Sequence, residues 1–312
     1  MPYYLGIDGG GTKTTCAVGD ETRALATSTT GASNVVRVGE LHARESLQSA
    51  IRQACAAAGI SPAQISGTCV GASGAARPEI AAIVHGALAE VISEPIEVVG
   101  DMEIALEAAF GAGAGVVVIA GTGSIAFGRD QQGNTARAGG WGFAISDEGS
   151  AHWIGRAAVS AVLRENDMNS RPVTDQEGLA ASVCKAWGVR SVPDLVRAAN
   201  SIPPPDFAAL FRVVVASNDT LAGEVLSGAG RELAHLATVV IERLFPETNG
   251  SAVPVAVAGG VFRHSNVVRE AFYNELRRLV QLIELHSGVV EPVEGALRRA
   301  RRAGSGKAVP KT

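Results

Sequence analysis

The chain has 312 residues and a formal net charge of −4, with 46% hydrophobic and 19% charged residues. That length accommodates two domains with sizeable cores, and that composition excludes a disordered chain. The mild acidity gives no reason to expect nucleic acid or an anionic membrane as partner.

Cys16, Cys55, Cys69 and Cys184 lie far apart with no CxxC pair. A disulfide scaffold or a zinc site is therefore not expected, and a reducing cytoplasm fits. The six histidines form no HxH or HExxH pattern and read as surface or packing residues. No basic and apolar leader opens the sequence, so no signal peptide is expected. "GVVVIAG" is too short to cross a bilayer.

In chain order, "YYLGID" predicts a buried strand, three glycines a turn, "TKTTCAVGD" a second strand and "RALATST" a third. The glycine loop then joins two strands as a hairpin, unlike the strand–loop–helix setting of a Rossmann or P-loop site. "ELHARESLQSAIRQACAAAG" has helical spacing with a glycine stop. "GTCVGAS" predicts a strand, "RPEIAAIVHGALAEV" a helix, "PIEVVGD" a strand ending in an acid and "MEIALEAAFGAG" the helix after it. "GVVVIAGTGSIAFG" repeats the opening pattern of strand, glycine turn and strand. "SDEGSAHWIGRAAVSAVLREND" predicts a long helix capped by Ser146 or Asp147.

Residues 170–245 read as mostly helical around "SIPPPD", and "VPVAVAGGVF" as a strand into a glycine pair. The order is α/β in two similar halves, with a helical insertion in the second. The expected domains are 1–113 and 114–289, with a C-terminal helix of about 290–306 packing back on the first. Arg298, Arg299, Arg301 and Arg302 on that helix read as its solvated end, where cations also suit the helix dipole.

Glycine turns bring backbone N–H groups close to an anion. "DGGGTKT" supplies Gly9, Gly10 and Gly11, with Thr12 and Lys13 as further donors. Asp8 at the strand end suits the Mg²⁺ that accompanies a nucleotide. Taken alone the stretch is equally a plain tight turn. The second turn, Gly121, Thr122, Gly123 and Ser124, and a third loop at Gly259 and Gly260 favour the phosphate reading. Two facing turns can clamp a triphosphate between domains while the third loop takes the nucleoside. Asp101 suits either a helix cap or the carboxylate that orients and deprotonates an attacking hydroxyl. Asp147 and Glu148, beside Gly139, Gly140 and Trp141, suit a polyhydroxy ligand. Trp141 serves equally as a sugar platform or a core residue.

The motifs GIDGGGTKT, AGTGS, GGWGFAISDEGSAHWIG and AGGVF together resemble the BadF/BadG-type ATPase family of the sugar-kinase/actin/Hsp70 superfamily, from residue 4 to about 300. Within it the resemblance is greatest to N-acetylglucosamine kinases. It implies two actin-like, ribonuclease-H-like domains around a cleft, ATP and Mg²⁺ as cofactors and a homodimer. It also implies transfer of phosphate to the 6-hydroxyl of an amino sugar.

By resemblance Asp101 is the base, Asn34 binds sugar hydroxyls, Asp147 is the sugar ligand, and Ser73 and Gly74 lie in a loop near the phosphates. Asn34 on its own reads as an Asx turn. Trp141 with its glycines leans toward N-acetylglucosamine, and "AISDEGS" toward glucosamine. An alternative from the same family is an ATPase that drives electrons into a dehydratase through a [4Fe–4S] cluster. The predicted strand and helix positions of the four cysteines disfavour it.

Overall fold

The computed structural model describes residues 1–93, 95–169, 178–246 and 251–304. Contacts divide the chain into two compact units, Met1–Val117 with Phe127–Thr135 and Val290–Thr312, and Val118–Ala126 with Ala136–Val289. The part of the helical expectation that covers residues 170–177 lies outside the described residues.

The first unit is built on a five-stranded sheet. Its strands are β1 (Tyr3–Gly9), β2 (Thr14–Gly19), β3 (Ala24–Thr30), β4 (Ile65–Ala72) and β5 (Ile96–Gly100), in the order β3-β2-β1-β4-β5. β1 to β3 form an antiparallel meander, while β4 and β5 run parallel to β1. β1 and β4 are near-continuous buried runs whose successive side chains point to opposite faces, both of them covered by helices. Leu5, Ile7, Cys16, Val18 and Val70 pack with α2 (Glu40–Ala57) and α3 (Pro78–Ala89). Tyr4, Ala17 and Cys69 pack on the other face with Ile104 of α4 (Asp101–Phe110) and Leu297 of α12 (Pro292–Gly304). Gly6 permits this second layer, because a Cβ there would meet the Leu297 backbone at 2.8 Å. Truncating a fully buried Leu5 or Ile7 to Ala would cost about 2–5 kcal/mol.

The four arginines of α12 are not a solvated helix end. Arg299 makes a bidentate pair with Glu97, and Arg302 another with Glu107. Arg298 donates to the Glu107 and Ala108 carbonyls, and Arg301 to the Asp20 carbonyl. Their partners lie about two hundred residues earlier or more, where local sequence cannot reveal them.

The second sheet has the order β10-β9-β6-β7-β8, with β6 (Gly115–Ala120), β7 (Ser124–Arg129), β8 (Thr135–Gly139), β9 (Val253–Ala258) and β10 (Ile283–Val290). α5 (Ala151–Asn169) packs against α6 (Leu179–Trp187), α8 (Leu210–Ser217) and α9 (Thr220–Leu244), α7 (Val192–Ala199) packs on α6, and α9 lies along α11 (Asn266–Leu279). His152 of α5 sits between Phe143 and Phe207, with ring centroids 5.0 and 5.4 Å away. α5 starts at Ala151, so neither Ser146 nor Asp147 is its cap. Ser150 Oγ accepts the Trp153 N–H, while Asp147 adopts a left-handed conformation (φ 64°) and serves its own loop. Among the described residues no helix is long and apolar enough to cross a membrane.

Candidate active site

Three parallel neighbours, β1, β4 and β5, deliver their carboxyl ends to one edge of the first sheet. Asp8 and Gly9 end β1, Ser73 and Gly74 follow β4, and Asp101 follows β5 as the first residue of α4. Open α/β sheets bind ligands at this edge.

The first glycine turn is a tight hairpin in which Gly10 N–H donates to the Lys13 carbonyl at 3.0 Å. Beyond it Gly9 pairs with Thr14 and Asp8 with Thr15. The Gly10 carbonyl accepts from the N–H groups of Ser33 and Asn34 at 3.1 and 3.2 Å. Beneath it the buried Thr14 hydroxyl donates to the Gly31 carbonyl and shares a 2.7 Å hydrogen bond with Ser33 Oγ. Thr14 and Ser33 thus fix the loop that carries Asn34, and sequence reasoning passed over both. The hydroxyl at the foot of a glycine hairpin was the available signal. Asn34 caps α1 (Val35–Val38), its Oδ1 accepting from Val36 and Arg37 N–H at 3.0 and 3.2 Å. The Asx reading is therefore realised. It uses the oxygen of the carboxamide and leaves the NH₂ as the donor end for a ligand.

Ser73 links the glycine turn to Asp101. Its N–H donates to the Gly9 carbonyl at 3.1 Å, and its hydroxyl donates to Asp101 Oδ2 at 2.5 Å. Asp101 Oδ1 accepts the Met102 N–H at 3.0 Å. The N-cap position itself belongs to Gly100, whose N–H donates to Glu103 Oε1 at 3.1 Å. Asp101 is thus the first helical residue and not the cap, and Glu103 makes the reciprocal bond of a capping box, to the N–H of the N-cap residue. A capping-box acid three residues after Gly100 was legible in "GDME".

Burial pushes the Asp8 carboxyl up to about 7, reinforced by the Asp101 charge, opposed by Lys13 and reinforced again by Glu291. Acidic groups gathered beside a phosphate-type loop suit a divalent cation, which would offset their repulsion. Among the described residues no group of three or more His, Cys, Asp or Glu side chains could hold a metal. Mg²⁺ bound to nucleotide phosphates needs only one or two protein carboxylates, and the Asp8 carboxyl has the chemistry to be one.

In the second unit, Gly121 N–H donates to the Gly123 carbonyl at 2.9 Å. The start of α5 is stitched to this turn, with Ala151 and His152 N–H donating to the Gly121 and Thr122 carbonyls. Asp147 is 7% exposed, and burial raises its pKa against the backbone N–H groups of Gly142 and Ser124. A Cβ on Gly123 would lie 2.8 Å from its Oδ2. Ser124 Oγ donates to the Glu148 carbonyl at 2.7 Å, and Ser146 Oγ to Glu148 Oε2 at 2.9 Å. Asp147 and Ser124 are therefore engaged in building the loop from Gly139 to Ser150.

Trp141 is 66% exposed, which overturns the core alternative, and the Arg137 guanidinium lies 4.2 Å from its ring centroid. Gly259 caps the short helix α10 (Gly260–His264) and packs against the Ala120 backbone, next to the Gly121 turn. The first unit thus gathers Asp8 to Lys13, Asn34, Ser73, Gly74 and Asp101. The second gathers Gly121 to Ser124, Asp147, Gly259 and Gly260, with Gly139, Gly140 and Trp141 on the Asp147 loop.

A family model, that of the BadF/BadG/BcrA/BcrD ATPases, matches residues 5–298. The chain belongs to that family. It is 32% identical over 289 residues to an N-acetylmuramic acid/N-acetylglucosamine kinase of Clostridium acetobutylicum, covering 90% of this chain and 91% of the relative. It is 26% identical over 310 residues to an N-acetyl-D-glucosamine kinase of Dictyostelium discoideum, covering 94% and 96% of the two chains. In fold it is similar to a candidate N-acetylglucosamine kinase of Chromobacterium violaceum, with a TM-score of 0.74, 24% identity and coverage of 96% and 98%. The two mixed sheets with flanking helices are the actin-like architecture of such kinases.

Proposed function

We propose that this ATPase-family protein is a sugar kinase that transfers phosphate from ATP to the 6-hydroxyl of an amino sugar, N-acetylglucosamine first among them. The observation that carries the reading is the Asp101 carboxylate, held by Ser73 beside the Gly9 to Lys13 turn at the carboxyl edge of the sheet. The kinase names of the two relatives support the substrate class.

In this reading Asp101 accepts a hydrogen bond from the sugar hydroxyl, orients it toward the γ-phosphorus and takes its proton as the new P–O bond forms and the bond from the γ-phosphorus to the bridging oxygen breaks, with ADP leaving. Ser73 keeps the carboxylate turned to that task. The glycine turns offer backbone N–H groups to the phosphates, and Lys13 adds a positive charge beside the first turn. Bound Mg²⁺, which Asp8 would hold, supplies charge neutralisation on the phosphates. The Asn34 NH₂ and the exposed Trp141 face serve the sugar.

Asp101→Asn tests this directly. Binding of a non-hydrolysable ATP analogue should persist while turnover falls by about 10²–10⁴-fold. Near-normal turnover would remove Asp101 from the role. The electron-transfer alternative finds no support at the cysteines, because Cys16, Cys55, Cys69 and Cys184 are all buried thiols within the core clusters or helix packing.

A further inference from the structure

We propose that Arg299, on the last helix of the chain, is a positioning residue for phosphoryl transfer, acting through Glu103 on the helix start that carries Asp101. The inference rests on the reading of Asp101 as the base.

The start of α4 lacks an ordinary cap. Gly100 stands at the N-cap position and has no side chain to offer the orphan N–H groups there. Glu103 supplies the bond from the other direction, Oε1 accepting the Gly100 N–H at 3.1 Å. Glu103 is 38% exposed, so a second anchor restricts its rotation further. Its second oxygen, Oε2, lies 3.6 Å from Arg299 Nη1. Arg299 is in turn anchored by a fork on Glu97 of β5, at 2.6 and 3.2 Å. Its side chain is 12% exposed, so the fork has little freedom to rotate. Burial works against the Arg299 charge, and the Glu97 hydrogen bonds and charge more than offset it, leaving the guanidinium firmly protonated.

Arg299 therefore ties the last strand before Asp101 to the first turn after it. The strand–helix junction is clamped on both sides of Gly100. The far end of α4 is held by the same helix. Arg302 pairs with Glu107, and Arg298 reaches the Glu107 and Ala108 carbonyls. Contacts at both ends of α4 restrict its rocking, and with it the displacement of the carboxylate on its first residue. Base catalysis is sensitive to this, since a displacement of about 1 Å can cost two orders of magnitude in rate. A merely stabilising salt bridge could sit anywhere on the helix. This one closes on the residue that caps the junction.

The test compares Arg299→Met, Glu103→Ala and Glu103→Gln, each alone and with Asp101→Asn, in the full-length enzyme. Glu103→Ala should lower kcat at least about 10-fold, with KM for ATP and sugar within about twofold of wild type. Glu103→Gln should lose about as much, because its amide oxygen still accepts the Gly100 N–H but its NH₂ cannot pair with the Arg299 guanidinium; wild-type kcat in Glu103→Gln would remove Arg299 from the role. Arg299→Met should match Glu103→Ala. Where it fails to fold, Glu103→Gln carries the test of Arg299, since it removes that pair and leaves the Glu97–Arg299 fork and the Gly100 bond in place. In the Asp101→Asn background neither substitution should reduce the residual turnover further, because both act through the lost base. Unchanged kcat in Glu103→Ala, or a loss of equal size in the Asp101→Asn background, overturns the inference while leaving the base reading intact. Normal turnover by Asp101→Asn alone overturns both.

Discussion

Gly10→Ala separates a phosphate loop from a plain turn. A glycine that exists for the fold has a positive φ or a close neighbour where Cβ would go. Gly10 has no positive φ, and the nearest heavy atom to an added Cβ is the Lys13 carbonyl oxygen at 3.1 Å. That neighbour must give by a few tenths of an ångström. Against this small strain stands the entropy that alanine removes from the unfolded chain, about 0.4–1 kcal/mol. The net effect on stability is within about 1 kcal/mol, or a Tm shift within about 4 °C.

If a phosphate lies over the turn, the methyl group intrudes between it and the N–H donors. Losing one charge-assisted hydrogen bond costs about 1.5–3 kcal/mol, which weakens nucleotide binding about 10- to 100-fold. Calorimetric titration with a non-hydrolysable ATP analogue, alongside a melting curve, reads both quantities. A well-folded Gly10→Ala that binds the analogue as tightly as wild type refutes the phosphate reading of this turn.

Asn34→Asp keeps the cap oxygen and removes the NH₂ donors, so sugar KM should rise several-fold at unchanged Tm. Asn34→Ala should also lose about 1 kcal/mol of stability with the cap, and an ATP KM that rises instead in steady-state kinetics would move Asn34 out of the sugar site. Trp141→Ala should leave the melting temperature unchanged, given the exposure of that side chain, and raise sugar KM. An unaltered KM removes Trp141 from the sugar site.

For Glu97, burial alone would raise the pKa, but the Arg299 pair outweighs it and holds the group below its usual range. Its contribution to stability is present above the unfolded value of about 4.3 and is lost as pH falls through the lower folded value. Urea midpoints should therefore fall more steeply with acid in wild type than in Glu97→Gln, and parallel curves would contradict the pairing.

The strands and their glycine turns were legible because local signals agree with the tertiary outcome. "YYLGID" and "GTCVGAS" are apolar on both faces, and both are sandwiched between helices. What stayed hidden depends on partners far away in sequence. The arginines of α12 show their charge in the sequence but not Glu97 or Glu107, so a structural lattice looked like a solvated end. Ser146 and Asp147 have the chemistry of helix caps, yet Asp147 takes a left-handed conformation and binds the amides of Ser124 and Gly142 instead. Trp141 carried no periodicity to decide between burial and exposure. Ser73 and Asp101 are 28 residues apart, and only the parallel pairing of β4 with β5 brings them together.

Amino-sugar kinase activity is read from ADP release with Mg-ATP. The acceptor panel is N-acetylglucosamine, glucosamine, N-acetylmannosamine, N-acetylmuramic acid, glucose and no sugar. Release should depend on an amino sugar and be greatest with N-acetylglucosamine. Release at one rate in every well, with or without sugar, would contradict the kinase reading.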